Sequence, residues 1–196
     1  GKVWVCNSLA LRELGFKDTE LIEGLERSSR GLLTGRIVRR DRLLAERLKH
    51  AKASRRPNIA AYSRQLARYG IVSITDTSAS NTTDTLADFQ RLSDGGELLQ
   101  HFLMMGSDEL DRGYLKILLD EDRLPDLANL VGRINRARRK GRNLAFHCVT
   151  HLELVFALAA LAEAAPCEAG FDRIEHGAVV NDEMAHRLAD LGLPVI

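Results

Sequence analysis

Long apolar runs are missing from this chain. None reaches the roughly 18 residues that suggest a membrane-spanning helix. The nearest approach, residues 152–165, is interrupted by Glu153 and Glu163. There is no basic segment followed by a short apolar one at the start, so no secretory leader is expected. Cysteine is scarce. Cys6, Cys148 and Cys167 form an odd-numbered set without metal-type spacing. That argues against a disulfide framework and for reduced thiols in a cytoplasmic setting. An excess of one charge is also lacking: 28 basic and 27 acidic residues leave a net charge of +1. No strong field draws nucleic acid or an anionic membrane to such a surface. Several catalytic templates are absent: no Gly-x-Ser-x-Gly elbow, no phosphate-binding glycine loop and no Gly-x-Gly-x-x-Gly after a strand. The hydroxyl-rich stretch 78–83 has no glycine to let a phosphate approach the backbone.

What is present is ordinary for a soluble protein. The chain has 196 residues, 45% hydrophobic and 28% charged, enough for one sizeable domain or part of a larger one. The first 56 residues read as a helical and irregular segment. Helices are expected over 8–14, 18–27 and the basic stretch 36–52, with a loop over 28–35. Asp41 and Glu46 dilute the basic stretch, so it reads as a solvated helix face.

From Pro57 the pattern alternates between strands and helices. Strands are expected over 71–75, 98–105, 114–119, 143–149 and 173–176, with one more beginning at 193. Helices are expected over 59–69, 86–95, 125–140, 150–165 and 181–191. Apolar strands joined by helices imply a parallel sheet covered on both faces or closed into a barrel. An open doubly wound sheet, with strands out of chain order, is the third arrangement.

Chemistry on parallel α/β folds gathers at the carboxyl ends of strands. Asp76, Lys116, Asp120, His147 and His176 occupy such ends. A lone strand-end histidine is more often structural than ligating. Two on successive strands can point at one spot, and neutral imidazole is a good ligand for zinc and related ions. Lys116 stands inside the apolar run Tyr-Leu-Lys-Ile-Leu-Leu. Its ammonium is not a ligand, but a buried neutral amine that adds carbon dioxide becomes a carbamate with two donor oxygens. Strand alternation sends Cys148 away from His147 as a packing residue. It also sends Glu175 away from His176, toward an arginine of the helix layer. His151 is expected in the first turn of the following helix. His50, His101 and His186 are expected to be structural or exposed.

These residues carry a resemblance. Ala-Phe-His-Cys-Val-Thr at 145–150 and Asp-Arg-Ile-Glu-His at 172–176 are similar to strands of the metal-dependent amidohydrolase superfamily. Gly-Ile-Val-Ser-Ile-Thr-Asp at 70–76 and Leu-Lys-Ile-Leu-Leu-Asp at 115–120 resemble two more, and Asn-Ser-Leu-Ala-Leu at 7–11 resembles the segment before them. The best match is the branch that includes N-substituted formamide deformylases.

The resemblance implies a partial (β/α)8 barrel of TIM type over residues 57–196. Its strands would be the second to the seventh, preceded by an insertion over residues 1–56. It implies His147, His176 and Lys116 as metal ligands and one or two divalent ions, with zinc expected. Asp76 and Asp120 are rim candidates without an assigned role. The activity implied is cleavage of a C–N bond in an amide, formamide or cyclic amide by metal-activated water. The partner is a small amide-type molecule, and a homo-oligomer is compatible with exposed sheet edges. The family's His-x-His pair is absent here, Lys2 stands near where the branch has a histidine, and no eighth-strand aspartate is present. The chain is therefore expected to be a central portion with weak or no activity alone. The alternative is a non-catalytic α/β binding module that keeps the hydrolase architecture.

Overall fold

A computed structural model describes residues 3–51, 57–166 and 171–196. The chain divides into two units, Gly1–Pro57 and Asn58–Ile196. Lys2, Lys52 and Cys167 lie outside the described residues. Cys6 and Cys148 are free thiols.

The first unit is built on strands, where the sequence reading expects helix and loop. β1 (Val3–Val5) and β2 (Leu25–Arg27) flank β3 (Leu33–Val38), both antiparallel to it. The expected helix over 18–27 is instead turn and strand. β3 takes residues from both the expected loop and the expected basic helix. Inward-facing Gly35 and Ile37 alternate with Thr34, Arg36 and Val38 outside, so the arginine is strand surface and not helix surface. Among the described residues of this unit, only α1 (Ser8–Glu13) and α2 (Asp41–His50) are helical. Leu14, Phe16, Leu25, Ile37 and Leu44 form the small core.

The second unit follows the expected alternation. Its strands are β4 (Ser73–Asp76), β5 (His101–Met104), β6 (Leu115–Leu118), β7 (Leu144–Cys148) and β8 (Arg173–His176). Pairs β4–β5, β6–β7 and β7–β8 are parallel. A single bridge between Gly106 and Leu115 carries β5 to β6, and one between Ile174 and Val195 adds the last segment. The strands therefore neighbour one another in chain order, which rules out the open doubly wound arrangement.

Between them run α3 (Ile59–Arg68), α4 (Thr83–Asp94), α5 (Leu127–Arg139), α6 (His151–Glu163) and α7 (Asp182–Asp190). Each starts at a side chain that accepts a backbone N–H of the first turn: Asn58, Thr82, Asp126, Thr150 and Asn181. The main core lies on one face of the three-stranded sheet β6–β7–β8. Leu115, Ile117, Leu144, Phe146, Cys148 and Ile174 pack there against α5, α6 and α7. Each large side chain so buried contributes about 1.5–3 kcal/mol.

Candidate metal centre

Residues paired across a parallel ladder point their side chains to the same face. Lys116 pairs with Ala145, which pairs with Arg173. Leu118 pairs with His147, which pairs with Glu175. One face thus carries Lys116, His147, Arg173 and Glu175, while the other is the apolar core.

His176 pairs with Cys148, which is buried in that core. Straight alternation would send the imidazole into the helix layer. It does not go there, because His176 has φ 73°. This left-handed backbone costs an ordinary L-residue about 1–2 kcal/mol. The ring meets that of His147 edge to face, with centroids 4.7 Å apart and planes at 88°. Gly177, at φ 52°, continues the turn and donates its N–H to the Cys148 carbonyl at 3.1 Å. A Cβ on Gly177 would lie 2.7 Å from Val195 Cγ1. Glu-His-Gly is the local sequence that lets the two imidazoles converge.

The electrostatics differ from residue to residue. Burial first, then the neighbouring His176 and Lys116 charges, push the His147 imidazole below its ordinary value. It is neutral near pH 7 and keeps a nitrogen lone pair for a ligand. Lys116 is 4% exposed, and its ammonium lies 3.4 Å from Glu175 Oε1. Burial lowers its pKa while the Glu175 carboxylate opposes the shift. Glu175 also accepts from Arg173 Nε at 2.8 Å, and the Arg173 guanidinium lies 4.9 Å from the Tyr114 ring centre. This corrects the placement of Glu175 on the helix side. It shares the face of His147, and its arginine partner sits two residues earlier on the same strand. Cys148 does face the core, where burial raises its thiol to about 12. His151 opens α6 and is exposed.

The two aspartates serve their own loops. Asp76 accepts the Ser78 N–H at 2.8 Å. Burial pushes its carboxyl up, but hydrogen bonds from Ser78 and Asn81 outweigh this and hold it below the usual range. Asp120 accepts from Asp122 N at 3.3 Å at the start of a 3-10 turn, Glu121–Arg123.

Two converging imidazoles fit a divalent ion of zinc-like softness as two nitrogen donors. Lys116, paired with Glu175 as an ammonium, does not fit as a ligand in that state. Among the described residues, no group of three or more His, Cys, Asp or Glu could hold a metal ion. The face is open: Leu118, paired with His147, is 59% exposed. A cavity of about 540 Å³ beside Ile117, Leu119 and Arg133 is not lined by either histidine.

Three buried polar residues that tie the strand-end loops together escape the sequence reading. Asn81 donates to the Met105 carbonyl at 2.9 Å. Arg142 donates to the carbonyls of Ser107 and Leu110, both at 2.8 Å, and Tyr114 at 3.0 Å. Glu153 accepts from Val149, Thr150 and Glu121. Only Glu153 leaves a local signal, a threonine followed three residues later by glutamate before an apolar run.

An uncharacterized metal-dependent hydrolase from Pyrococcus furiosus matches with a TM-score of 0.63 at 20% identity, over 99% of this chain and 47% of its own. A second, from Pyrococcus horikoshii OT3, matches with 0.62 at 16% identity, over 99% and 46%. These likenesses show the fold, and the chain spans about half the length of each structure. No curated protein matches. A sequence model of the amidohydrolase family covers residues 1–194. The chain belongs to the amidohydrolase family.

Proposed function

We propose that this chain is the central part of a metal-dependent hydrolase that cleaves C–N bonds of amide, formamide or cyclic amide substrates. The carrying observation is the edge-to-face pair of His147 and His176 at the ends of neighbouring strands, reached through a left-handed His176. A divalent ion such as zinc, held by these imidazoles, would lower the pKa of a bound water and polarise a carbonyl oxygen. His147 contributes a neutral ring. His176 closes over it from the next strand. Glu175 holds Lys116 and Arg173 on the same face, and the charges of Lys116 and Glu175 act on His147. Lys116 joins the ligand set only after losing its proton and its pairing with Glu175 and adding carbon dioxide. Asp76 and Asp120 remain rim candidates without an assigned role.

The consecutive parallel strands support a partial (β/α)8 barrel over residues 57–196, with residues 1–56 as a segment set before it. The formamide deformylase-like branch is the assignment within the family. No helix among the described residues is long and apolar enough to cross a membrane. The scarce, unpaired cysteines fit a cytoplasmic setting, exposed sheet edges are compatible with a homo-oligomer, and the family resemblance implies a small-molecule substrate. Matching about half of each structural neighbour, the chain is expected to have weak or no activity alone.

The second reading is a binding module without catalysis. The buried Lys116–Glu175–Arg173 cluster favours it, because there the lysine is already paired. Hydrolysis of N-formyl, amide and cyclic amide substrates, measured with added zinc, cobalt or manganese, separates the two. Turnover that needs metal and disappears in both His147→Ala and His176→Ala supports the hydrolase. Turnover insensitive to both substitutions removes the site from the reaction. Absence of bound metal, with folding unchanged in His147→Ala plus His176→Ala, supports the module.

A further inference from the structure

The Glu153 carboxylate does more than its place in α6 requires. A capping box needs it to reach back to the Thr150 N–H, which it does at 3.1 Å, while Thr150 Oγ1 accepts the Glu153 N–H at 3.3 Å. The same oxygen, Oε2, also accepts the Val149 N–H at 2.7 Å. The other, Oε1, accepts the Glu121 N–H at 3.2 Å. Val149 lies two residues after His147, and Glu121 opens the 3-10 turn in the loop after β6, the strand of Lys116. One side chain, 4% exposed, thus joins the loops that follow two neighbouring strands.

We infer that Glu153 is a positioning residue, clamping the loops after β6 and β7 and thereby fixing the His147 imidazole against His176. Three N–H donors converge on this group, and a carboxylate is the side chain that only accepts. An amide keeps the shape but turns one end into a donor. Glu153→Gln can satisfy Val149 and Thr150, yet it then faces the Glu121 N–H with an NH2. The substitution therefore separates the capping function from the clamp. Burial pushes the Glu153 carboxyl up, but its backbone hydrogen bonds and the His147 charge outweigh this and hold it below the ordinary range. The carboxylate form the clamp needs is thus the resident one near neutral pH.

The consequence for metal binding rests on the hydrolase reading; the clamp itself does not. Two measurements on the full 196-residue chain keep them distinct. In the metal-free protein, amide hydrogen exchange and histidine ring-proton shifts are compared for wild type and Glu153→Gln, well below unfolding. The clamp predicts faster exchange at Glu121, with Thr150 still protected, and altered ring-proton shifts for His147 and His176. Unchanged exchange at Glu121, or unchanged ring shifts, overturns it. Cobalt is then titrated into both proteins. Misaiming one ligand predicts roughly tenfold weaker cobalt binding in Glu153→Gln. Equal affinity overturns the positioning role. If wild type binds no cobalt, the metal reading fails, and the exchange and ring shifts still decide the clamp.

Discussion

Glu175 stands directly opposite His147 across the β7–β8 ladder, although its chain neighbour His176 is the residue whose ring meets His147. Both relations hold at once because the backbone turns left-handed at His176. The strand delivers a carboxylate to the lysine and an imidazole to the histidine from adjacent positions.

That turn has a stability signature. In His176→Gly the left-handed strain disappears, offsetting the lost ring contact. The metal-free protein is expected to be at least as stable as wild type. His176→Val, with a β-branched side chain at the same φ, is expected to be about 1–2 kcal/mol less stable than His176→Gly. Urea unfolding of the two variants measures the difference, and equal stabilities would remove the strain from the account.

The buried ion cluster makes a second prediction. Glu175→Leu leaves the Lys116 ammonium buried without its carboxylate, and breaking such a pair costs about 3–5 kcal/mol. Adding Lys116→Met removes the stranded charge and should recover much of the loss. A double-mutant cycle by denaturant unfolding tests this. A double variant as unstable as the single one would show that Arg173, not Lys116, depends on Glu175.

Acid should reveal Glu153. Its carboxyl is depressed below its ordinary 4.5 in the folded protein. The unfolded chain therefore binds the proton more readily. The stabilisation is fully present above about pH 4.5 and fades as pH falls through the folded value. Glu153→Gln removes this proton-linked part, so its stability should fall less steeply than wild type below that pH. Parallel curves would mean that the folded carboxyl is not depressed.

Arg142 predicts a local effect. Its guanidinium, 3% exposed, serves carbonyls of the 107–113 loop and Tyr114. Arg142→Leu strands these acceptors, each worth about 1–3 kcal/mol if left buried and unpaired. Proteolytic cleavage should then concentrate in 107–113. Cleavage spread evenly over the chain would point to global unfolding instead.

The sequence made some of this legible and hid the rest for identifiable reasons. Residues 173–176 read as a strand and are one, because Arg-Ile-Glu-His alternates between two faces and Asp172 and Gly177 bound it. The helices of the second unit announce themselves through cap residues such as Thr150 and Asn181. The first unit stayed hidden because its short strands owe little to local pattern. Trp4 pairs with Ile37 across more than thirty residues, and the turns depend on left-handed Gly24 and Gly31. Glu175 was misplaced because alternation assumes a regular backbone, and Gly177 alone hinted otherwise. Asn81 and Arg142 have no sequence signature at all, since their partners are carbonyl groups brought near by the fold.

The most direct test of the central claim is a calorimetric titration of zinc into the metal-free chain, beside the His147→Ala plus His176→Ala double variant with its folding checked by circular dichroism. The account predicts zinc binding by the wild-type chain and its loss in a double variant that stays folded. Zinc binding of equal affinity by both proteins would contradict it.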